Sequence, residues 1–317
     1  MKTVLLITEQ YDPTADALID ELRRRQRPYL RWNLDSFPDS SELTYRISEQ
    51  KFVGSISSDG HSVDADDVGS VWCRSFMPRG FPANLDEEEL LFARKEAQTA
   101  LSSLSGFSDW LWINHPDRER AASLKPLQLH VAGQLGMEIP RTIISNDPDD
   151  IRGFHEACGG KIIYKASSQS LKLEPGKAIF TDEVSDQEMA SLDLIRHTPG
   201  IFQELIVKAF EVRATVIGSE IFCVKIGSQE QTETATDWRK APFDLEYQPF
   251  ELRDELAQKV LLFMNRFGLK YSSMDFIVTP DGRYVFLESN PGGQYRWAEA
   301  KAGLPMTEAL AEALSVD

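Results

Sequence analysis

The sequence has few cysteines and no long apolar run. Its three cysteines, Cys73, Cys158 and Cys223, are far apart in a chain of 317 residues and show neither metal-site spacing nor an even-numbered framework. We expect reduced thiols, mostly core fillers, in a cytoplasmic protein. No stretch approaches the roughly 20 apolar residues that span a bilayer. We therefore expect no membrane association, and we read the N-terminal MKTVLLITEQ as a first β-strand rather than a signal peptide.

Basic residues are also scarce relative to acidic ones. The chain has 34 lysines and arginines against 50 aspartates and glutamates, which gives a net charge of −16. Such a surface repels phosphate backbones, so we do not expect nucleic acid as a main partner. The five histidines show no metal spacing, and we expect no catalytic histidine among them.

The order of apolar runs predicts an α/β protein. The run TVLLIT at 3–8, a helix-like stretch after it and PYLRWN at 28–33 make a β–α–β opening, which favours a parallel sheet. Residues 42–68 alternate in short stretches and predict a small antiparallel excursion. Another strand is expected at 69–75, where the sequence is GSVWCRS.

We predict three parts of the chain, with boundaries where the texture of the sequence changes. The first is an α/β domain at 1–114, the second a central segment at 115–199, and the third a C-terminal segment of α+β character at 200–317. Antiparallel strands are expected in the third part, because EVRATVIG and EIFCVKIG alternate or run apolar. With 42% hydrophobic residues, the chain is long enough for two or three packed domains.

The stretch YSSMDFIVTPDGRYVFLESNPGGQYRW at 271–297 predicts a hairpin with charged arms. The dipeptide DG between two strand-like arms is typical of a two-residue loop. Counting back from that loop pairs Asp275 with Glu288, and Asn290, two residues further on, shares their face. Directly opposed residues have Cβ atoms about 5 Å apart, so the two carboxylates call for a shared proton or a divalent cation.

Asp275, Glu288 and Asn290 form an oxygen-only set that suits Mg²⁺, which often also takes phosphate oxygens. The alternative is the solvent-facing polar side of a half-buried sheet, and the three residues alone do not decide between the two. The turn NPGG at 290–293 favours a site, because it leaves backbone free to approach a ligand.

A magnesium site of this kind predicts phosphate-binding cations elsewhere, and Lys125 and Lys165 are the candidates. Pro126 favours a new first helical turn, so Lys125 lies at the junction of two helical pieces near a positive helix end. Lys165 stands near the end of the strand-like run KIIYKAS. An ammonium is a point-charge partner for a phosphate oxygen, whereas the alternative for either lysine is a snorkelling surface residue.

The order of these features resembles the ATP-grasp superfamily of carboxylate–amine ligases over about 115–317. The resemblance implies an ATP-grasp fold behind an N-terminal pre-ATP-grasp domain, with ATP and Mg²⁺ as cofactors. It implies phosphate binding by Lys125 and Lys165 and metal binding by the hairpin residues Asp275, Glu288 and Asn290. The remaining ATP contacts that it implies are the adenine hinge Gln203, Glu204, Leu205 and Ile206 and the ribose ligand Glu211.

Arg213 and Arg239 are candidates for gripping a substrate carboxylate or an acyl phosphate, because a guanidinium binds either group with two hydrogen bonds. The alternative for Arg213 is a salt bridge within a sheet, and for Arg239, in TDWRKAPFD, a solvated loop. Many ATP-grasp enzymes have a glycine-rich loop after the second lysine. Here that stretch reads ASSQSLKLEPG, in which serine hydroxyls and backbone N–H groups would replace the glycine contacts.

Longer motifs are similar to the ribosomal-peptide maturases that make graspetides, microviridins among them. These motifs include SVWCRS, TDWR and FLESNPGGQYRWAEAKAGLPMTEALAEAL, and the resemblance covers nearly the whole chain. It implies a precursor peptide whose Asp or Glu side chain is phosphorylated and then attacked by a Ser or Thr hydroxyl or a Lys amine of the same peptide. The relatives also suggest a homodimer, and we expect the leader to dock near 213–235 and the helix near 251.

Two other functions stay open on the sequence. One is an ATP-grasp ligase that joins free amino acids or modifies a protein terminus, and the other is an ATP-binding protein without ligase activity. Ring closure removes one water per link, whereas ligation adds a residue, so a mass measurement separates ring closure from ligation. Peptide-dependent release of ADP separates both of these activities from ATP binding without ligase activity.

Overall fold

The computed structural model describes residues 1–49, 51–107, 109–166, 181–230, 234, 236–240 and 245–316. It confirms a mixed α/β architecture, with four sheets among the described residues. The serine-rich stretch after Lys165 lies outside the described residues from position 167 onward, so its predicted role in phosphate binding stays a prediction.

The first region is built on a parallel sheet. Its elements are β1 (Thr3–Thr8), α1 (Pro13–Arg24), β2 (Tyr29–Asn33), β3 (Glu42–Ser48), β4 (Lys51–Ser58), β5 (His61–Asp64), β6 (Val68–Cys73), α2 (Glu87–Ser102) and β7 (Leu111–Ile113). Strands β2, β1, β6 and β7 pair in that order and all in parallel, which confirms the β–α–β opening. Strands β3, β4 and β5 form a separate antiparallel sheet, the predicted excursion.

Helix α1 begins where its sequence provides an N-cap. The Asp12 carboxylate accepts hydrogen bonds from the amides of Thr14 at 2.9 Å and Ala15 at 3.3 Å, and Pro13 occupies the first turn. The buried face of the helix includes Leu18 and packs on the parallel sheet. The cap therefore fixes the side chain of Asp12 at one end of that sheet.

The central region holds a smaller, antiparallel sheet. Its elements are α3 (Pro116–Ala122), α4 (Lys125–Gln134), β8 (Thr142–Ser145), α5 (Pro148–Ala157), β9 (Ile162–Lys165), β10 (Asp182–Glu183), α6 (Asp186–Ala190) and β11 (Gly200–Glu204). Helices α3 and α4 are separate, as Pro126 predicted, and Lys125 is the first residue of α4. The sheet order is β10-β9-β11-β8, so β11 pairs within it although it follows residue 199; the boundaries at 114 and 199 stay predictions.

The C-terminal region contains a larger antiparallel sheet. Its elements are β12 (Phe210–Ile217), β13 (Glu220–Ile226), β14 (Tyr247–Phe250), α7 (Asp254–Phe267), β15 (Tyr271–Val278), β16 (Tyr284–Asn290), α8 (Arg296–Ala302) and α9 (Met306–Leu314). The strand order is β14-β13-β12-β15-β16. Every residue of β15 is buried, because α7 covers one face and the first region approaches the other.

One hydrophobic cluster joins the first region to the C-terminal region. It contains Val4 and Trp72 from the parallel sheet together with Tyr271 from β15 and Leu310 from α9. The rings of Trp72 and Tyr271 meet edge to face, with centroids 5.1 Å apart and planes at 87°. The first region is therefore packed against the start of the strand that carries Asp275, on the face that Asp275 also occupies.

The cysteines are free and mostly buried, as the sequence predicts. All three cysteines are free thiols; Cys73 and Cys223 are buried and Cys158 is half-buried. Burial raises the pKa of Cys73 well above its ordinary value, as expected for an inert core thiol. In the part of the chain that the structure describes, no helix combines the length and apolarity that crossing a bilayer requires.

Candidate active site

Strands β15 and β16 form the charged hairpin that the sequence predicts. Asp275 lies directly opposite Glu288, and Ser273 lies opposite Asn290. Glu288 and Asn290 are two residues apart on one strand and share a face, so the three predicted metal ligands meet on one side of the sheet.

The turn of this hairpin differs from the predicted two-residue loop. The amide of Thr279 donates to the carbonyl of Arg283 at 3.0 Å, so residues 280–282 form the loop, and Gly282 takes a φ of 81°. The strands therefore leave the turn one residue out of the predicted register. A bulge beside Asp275 shifts the register back, and the predicted pairing of the acids is restored.

The two facing carboxylates are bound by one arginine, one lysine and one amide. Arg213 donates from Nη1 to Asp275 Oδ1 at 3.0 Å and Oδ2 at 2.7 Å, while Lys125 Nζ donates to Glu288 Oε2. The Nδ2 of Asn290 lies 3.2 Å from both Asp275 Oδ2 and Glu288 Oε1. Cations from β12 and α4 thus neutralise the pair, and the amide bridges it. The salt bridge of Arg213 matches the alternative that the sequence left open for it.

The two carboxyls have pKa shifts of opposite direction. Burial raises the pKa of Asp275; Arg213 counteracts this and the neighbouring Glu288 adds to it. Burial also acts to raise the pKa of Glu288, but the ammonium groups of Lys125 and Lys165 outweigh it and bring that pKa to about 2. Asp275 therefore takes up a proton more readily than Glu288, as expected when two carboxylates share one site.

Lys165, at the end of β9 in the central sheet, faces the carboxylate of Glu288. Burial lowers its pKa, Glu288 counteracts this, and the nearby charges of Lys125 and Arg239 lower it further. Several cations thus surround the two carboxylates of the hairpin. An anionic ligand such as a triphosphate would relieve their mutual repulsion.

These side chains line a single cavity of about 500 Å³ between the central and C-terminal sheets. Its wall also has an apolar part, made by Ile163, Ile277 and Leu287. The cavity brings together most of the residues predicted from the sequence: Lys125, Lys165, Glu211, Arg213, Arg239, Asp275, Glu288 and Asn290.

The predicted adenine hinge at 203–206 lies beside this cavity, and none of its residues belongs to the wall as the described residues define it. Gln203 is buried in β11 and donates from Nε2 to Thr142 Oγ1 at 3.0 Å. The carboxylate of Glu204 accepts from the amide of Arg141 at 2.7 Å. Both side chains are thus engaged in holding the central sheet, and the backbone role of the hinge stays a prediction.

Glu211 forms a buried ion pair with a lysine that the sequence pattern did not single out. Lys208 Nζ lies 2.7 Å from Glu211 Oε1 and 3.0 Å from the carbonyl of Thr236, and both charged side chains line the cavity. Burial raises the pKa of Glu211, and Lys208 counteracts this. The only sequence signal was the spacing of three residues between the two charges.

Residues 236–240 connect the central and C-terminal regions at the cavity. Asp237 accepts from the amide of Thr181 at 3.0 Å and from Nε of Arg239 at 2.8 Å. The Arg239 side chain is 49% exposed, and its hydrogen bond to Asp237 raises its pKa. Arg239 is thus partly solvated, as the alternative reading expected, yet it also lines the cavity. The rings of Trp238 and Trp297 pack there with centroids 4.9 Å apart.

The turn after β16 completes the wall of the cavity with Gly292, Gly293 and Gln294. A Cβ placed on Gly293 would lie 2.9 Å from Arg213 Nη2 and 2.9 Å from Ser273 Cβ. Only glycine therefore fits between the arginine and the strand at this position.

The oxygen atoms of this cluster fit a hard divalent cation. Within the described residues, no group of three or more His, Cys, Asp and Glu side chains is arranged to hold a metal ion, and the predicted site has two carboxylates and an amide. Mg²⁺ accepts such a set, because it is held by one or two carboxylates and completes its shell with phosphate oxygens and water.

Residues 3–120 match a family model described as the MvdD pre-ATP grasp domain. Comparison with curated proteins gives no match.

Solved structures extend the similarity over the whole chain. Macrocyclase MdnC from Microcystis aeruginosa, solved with precursor peptide MdnA, has a TM-score of 0.89 and 30% identity, over 98% of this chain and 99% of MdnC. Macrocyclase MdnB of that organism has a TM-score of 0.84 and 28% identity, over 100% of both chains. A RiPP-associated ATP-grasp ligase of Chryseobacterium gregarium has a TM-score of 0.90, 99% and 96% coverage and 24% identity, a level that shows the fold alone.

The match to MdnC over almost its entire length, together with the pre-ATP-grasp domain and the ligand cluster of the hairpin, shows that this chain belongs to the ATP-grasp macrocyclase family that matures graspetides.

Proposed function

We propose that this enzyme uses ATP to close rings in a ribosomal precursor peptide, by joining a side-chain carboxylate to a hydroxyl or an amine. The observation that carries the proposal is the cluster of Asp275, Glu288 and Asn290 in one cavity with Lys125 and Lys165. MdnC was solved with a precursor peptide, and the ATP-grasp ligase PsnB with a minimal precursor, Mg and ADP. These relatives support ATP and Mg²⁺ as cofactors and a precursor peptide as substrate.

In the first step, an oxygen of the peptide's Asp or Glu carboxylate attacks the γ-phosphorus of ATP, and ADP leaves. Lys125 and Lys165 converge on one carboxylate and would neutralise the phosphate oxygens. Asp275, Glu288 and Asn290 would hold Mg²⁺, which would supply further charge neutralisation at the phosphates. The protein contributes mainly position and charge, because the phosphoryl group itself needs little covalent assistance.

In the second step, a Ser or Thr hydroxyl or a Lys amine attacks the acyl carbon of the acyl phosphate. The ester or amide bond forms, inorganic phosphate leaves with the electrons of its bond to the acyl carbon, and the nucleophile releases its proton. Arg213 and Arg239 would bind the carboxylate and then the acyl phosphate, since a guanidinium matches both groups. Arg239 supports this role best, because half of its side chain is exposed at the cavity.

The nucleoside of ATP would bind to the other contact residues that the sequence predicted. Glu211 would take the ribose hydroxyls, and the backbone of Gln203, Glu204, Leu205 and Ile206 would meet adenine. The apolar side chains of Ile163, Ile277 and Leu287 would cover the base, because they line the same cavity as Glu211.

The leader of the precursor would dock near residues 213–235 and on α7. Because β12 and β14 pair with β13 on its two sides, helix packing against α7 is favoured over strand addition to β13. Leu262 on α7 supports this surface, because 52% of it is exposed. We further propose that the enzyme is a cytoplasmic homodimer. Light scattering of the purified chain measures the oligomeric state, and cell fractionation measures the location.

The test of this function is an assay with Mg²⁺, ATP and each short peptide encoded beside the gene for this chain. We expect ADP release that depends on one such peptide, and a product lighter by one water per ring. Replacing the acidic residues of the peptide core by alanine should abolish both. ADP release without any peptide-dependent loss of water, or ATP binding with no turnover, would refute the proposal, and a gain in mass would indicate ligation of a separate amino acid.

A further inference from the structure

An ion pair of the first region contacts the active-site turn. Arg74, the residue after β6, donates from Nη1 to the carbonyl oxygen of Gly292 at 2.9 Å and from Nε to Asp12 Oδ2 at 3.3 Å. The side chain of Arg74 is 7% exposed and that of Asp12 is 10% exposed. A buried guanidinium needs several hydrogen bonds to offset its lost hydration, and one of its partners here is a backbone group of the cavity wall.

Asp12 is held firmly on the side opposite the turn. Its carboxylate accepts from Thr8 Oγ1 at 2.8 Å and from the amides of Thr14 and Ala15 at 2.9 and 3.3 Å. Burial acts to raise its pKa, but Arg74 and these hydrogen bonds outweigh burial and lower it. Asp12 is therefore a fixed anion at the start of α1, and it limits the positions that Arg74 can take.

Three consecutive carbonyl groups of the turn receive hydrogen bonds from side chains outside it. These bonds are Asn114 Nδ2 to Pro291 O at 3.0 Å, Arg74 Nη1 to Gly292 O at 2.9 Å, and Tyr271 OH to Gly293 O at 2.5 Å. Thr14 Oγ1 continues the row with a bond to Gln294 Oε1 at 2.9 Å. Asn114, Arg74 and Tyr271 each restrain one peptide plane of the turn, whereas Thr14 holds the side chain of Gln294.

The middle plane has the greatest need of such a restraint. It joins Gly292 to Gly293, and two adjacent glycines leave a peptide plane free to rotate because neither has a Cβ. Gly293 also packs against Arg213 Nη2 and follows Asn290 closely, with its amide bonded to the Asn290 carbonyl at 3.0 Å. A rotated plane would therefore disturb both the arginine and the amide of the proposed metal site.

We propose that Arg74 is a positioning residue, which holds the Gly292–Gly293 peptide plane in the orientation that the active site requires. The proposal rests on the proposed function of the cavity. The first region, through Arg74 and Asp12, then sets the geometry of a site whose ligands all come from later in the chain.

The kinetic test compares Arg74→Ala with Arg79→Ala in the full chain. Arg79 is a matched control, because it lies five residues away and pairs on the surface with Glu9 at 2.7 Å. For Arg74→Ala we expect kcat to fall about 10- to 100-fold with KM for ATP nearly unchanged, the size seen when a supporting contact is lost. Methylguanidinium should restore part of the rate that Arg74→Ala loses, and methylammonium should not. The variant Asp12→Asn should also lower kcat. Arg79→Ala should keep the full rate.

A second measurement needs no peptide. Hydrogen exchange of residues 290–294 should be faster in Arg74→Ala than in the unaltered chain, while exchange in β12 stays the same. A kcat within about twofold of the unaltered enzyme, no rescue by methylguanidinium, or unchanged exchange in the turn would each overturn the role of Arg74. If the unaltered enzyme shows no peptide-dependent ADP release, the proposed function fails instead, and the exchange experiment still tests the positioning.

Discussion

Single side chains explain how two facing carboxylates persist in a buried hairpin. Asp275 and Glu288 lie on neighbouring strands, and each has its own cation, Arg213 for one and Lys125 for the other. Removal of one acid would leave its cation without a partner and would remove half of the predicted metal site.

We expect Asp275→Asn and Glu288→Gln each to lower peptide-dependent ADP release at least about 100-fold, because each removes a charged oxygen ligand of Mg²⁺. Steady-state assays over a range of Mg²⁺ concentrations measure this loss. Asp281→Asn is the control, since Asp281 is an exposed acid at the tip of the same hairpin. Undiminished activity in both acid variants would contradict the assignment of the metal site.

Glu119 in α3 predicts a pH dependence of stability. Burial raises the pKa of its carboxyl to about 7, and Arg74 counteracts this only in part. Between the ordinary pKa of 4.5 and this value, the unfolded chain ionises Glu119 and the folded chain does not. Stability from this group is therefore present below pH 4.5 and is lost as the pH rises towards 7.

The variant Glu119→Gln removes this titration and should stabilise the protein at pH 8 by up to about 3 kcal/mol, at 1.36 kcal/mol for each unit of pKa shift. Urea unfolding at pH 5 and pH 8 measures the change. Glu251→Gln, at an exposed position, should leave the difference between the two pH values as it is. An identical pH slope in Glu119→Gln and the unaltered chain would contradict the raised pKa.

At the scale of elements, the turn after β16 depends on the absence of a side chain. A Cβ on Gly293 would come within 3.0 Å of Arg213, Ser273 and the Asn290 carbonyl, and two of these groups belong to the proposed site. Most of these neighbours are fixed in strands, so a methyl group has no room without moving the turn.

We expect Gly293→Ala to lower kcat about 10- to 100-fold, because it displaces Arg213 and the turn by a fraction of an ångström or more. Gly153→Ala is the matched control: Gly153 lies within α5 with open space around its Cα, and alanine there should stabilise the helix by up to about 1 kcal/mol. Kinetics and thermal unfolding of both variants measure these effects. Full activity of Gly293→Ala would show that the turn tolerates a shift.

At the scale of the whole molecule, the first and last parts of the chain share one core. Helix α9 packs beside α1 on the parallel sheet, and Ser70 Oγ donates to the Leu314 carbonyl at 2.6 Å. Leu310 of α9 is fully buried in the cluster that contains Val4 and Trp72. The first region and the C-terminal region should therefore unfold together.

We expect Leu310→Ala to reduce the free energy of unfolding by about 2 to 5 kcal/mol, because it removes buried methyl groups and leaves a cavity. Leu262→Ala, at a half-exposed position of α7, should change it by less than about 0.5 kcal/mol. Urea unfolding followed by circular dichroism and tryptophan fluorescence measures both values. Two separate transitions in the unaltered chain would contradict a shared core.

The order of apolar runs and the position of Pro126 were enough to predict the parallel opening and the break before Lys125, because these follow from local periodicity and proline chemistry. The pairing of Asp275 with Glu288 agrees with the prediction only because a bulge cancels the error in the predicted loop length. The length of the hairpin loop was predicted wrongly. A bulge depends on packing across the sheet, and the DG dipeptide carries no information about it.

The contacts of Lys208 with Thr236, of Trp238 with Trp297, and of Arg74 with Gly292 were beyond the reach of sequence patterns. Each joins residues far apart along the chain, or depends on the direction of one carbonyl group. Residue types and short spacings in the sequence thus determine the chemistry of the site. The contacts that support its glycine turn form only once the first region has packed against β15, since long-range packing has no local signature.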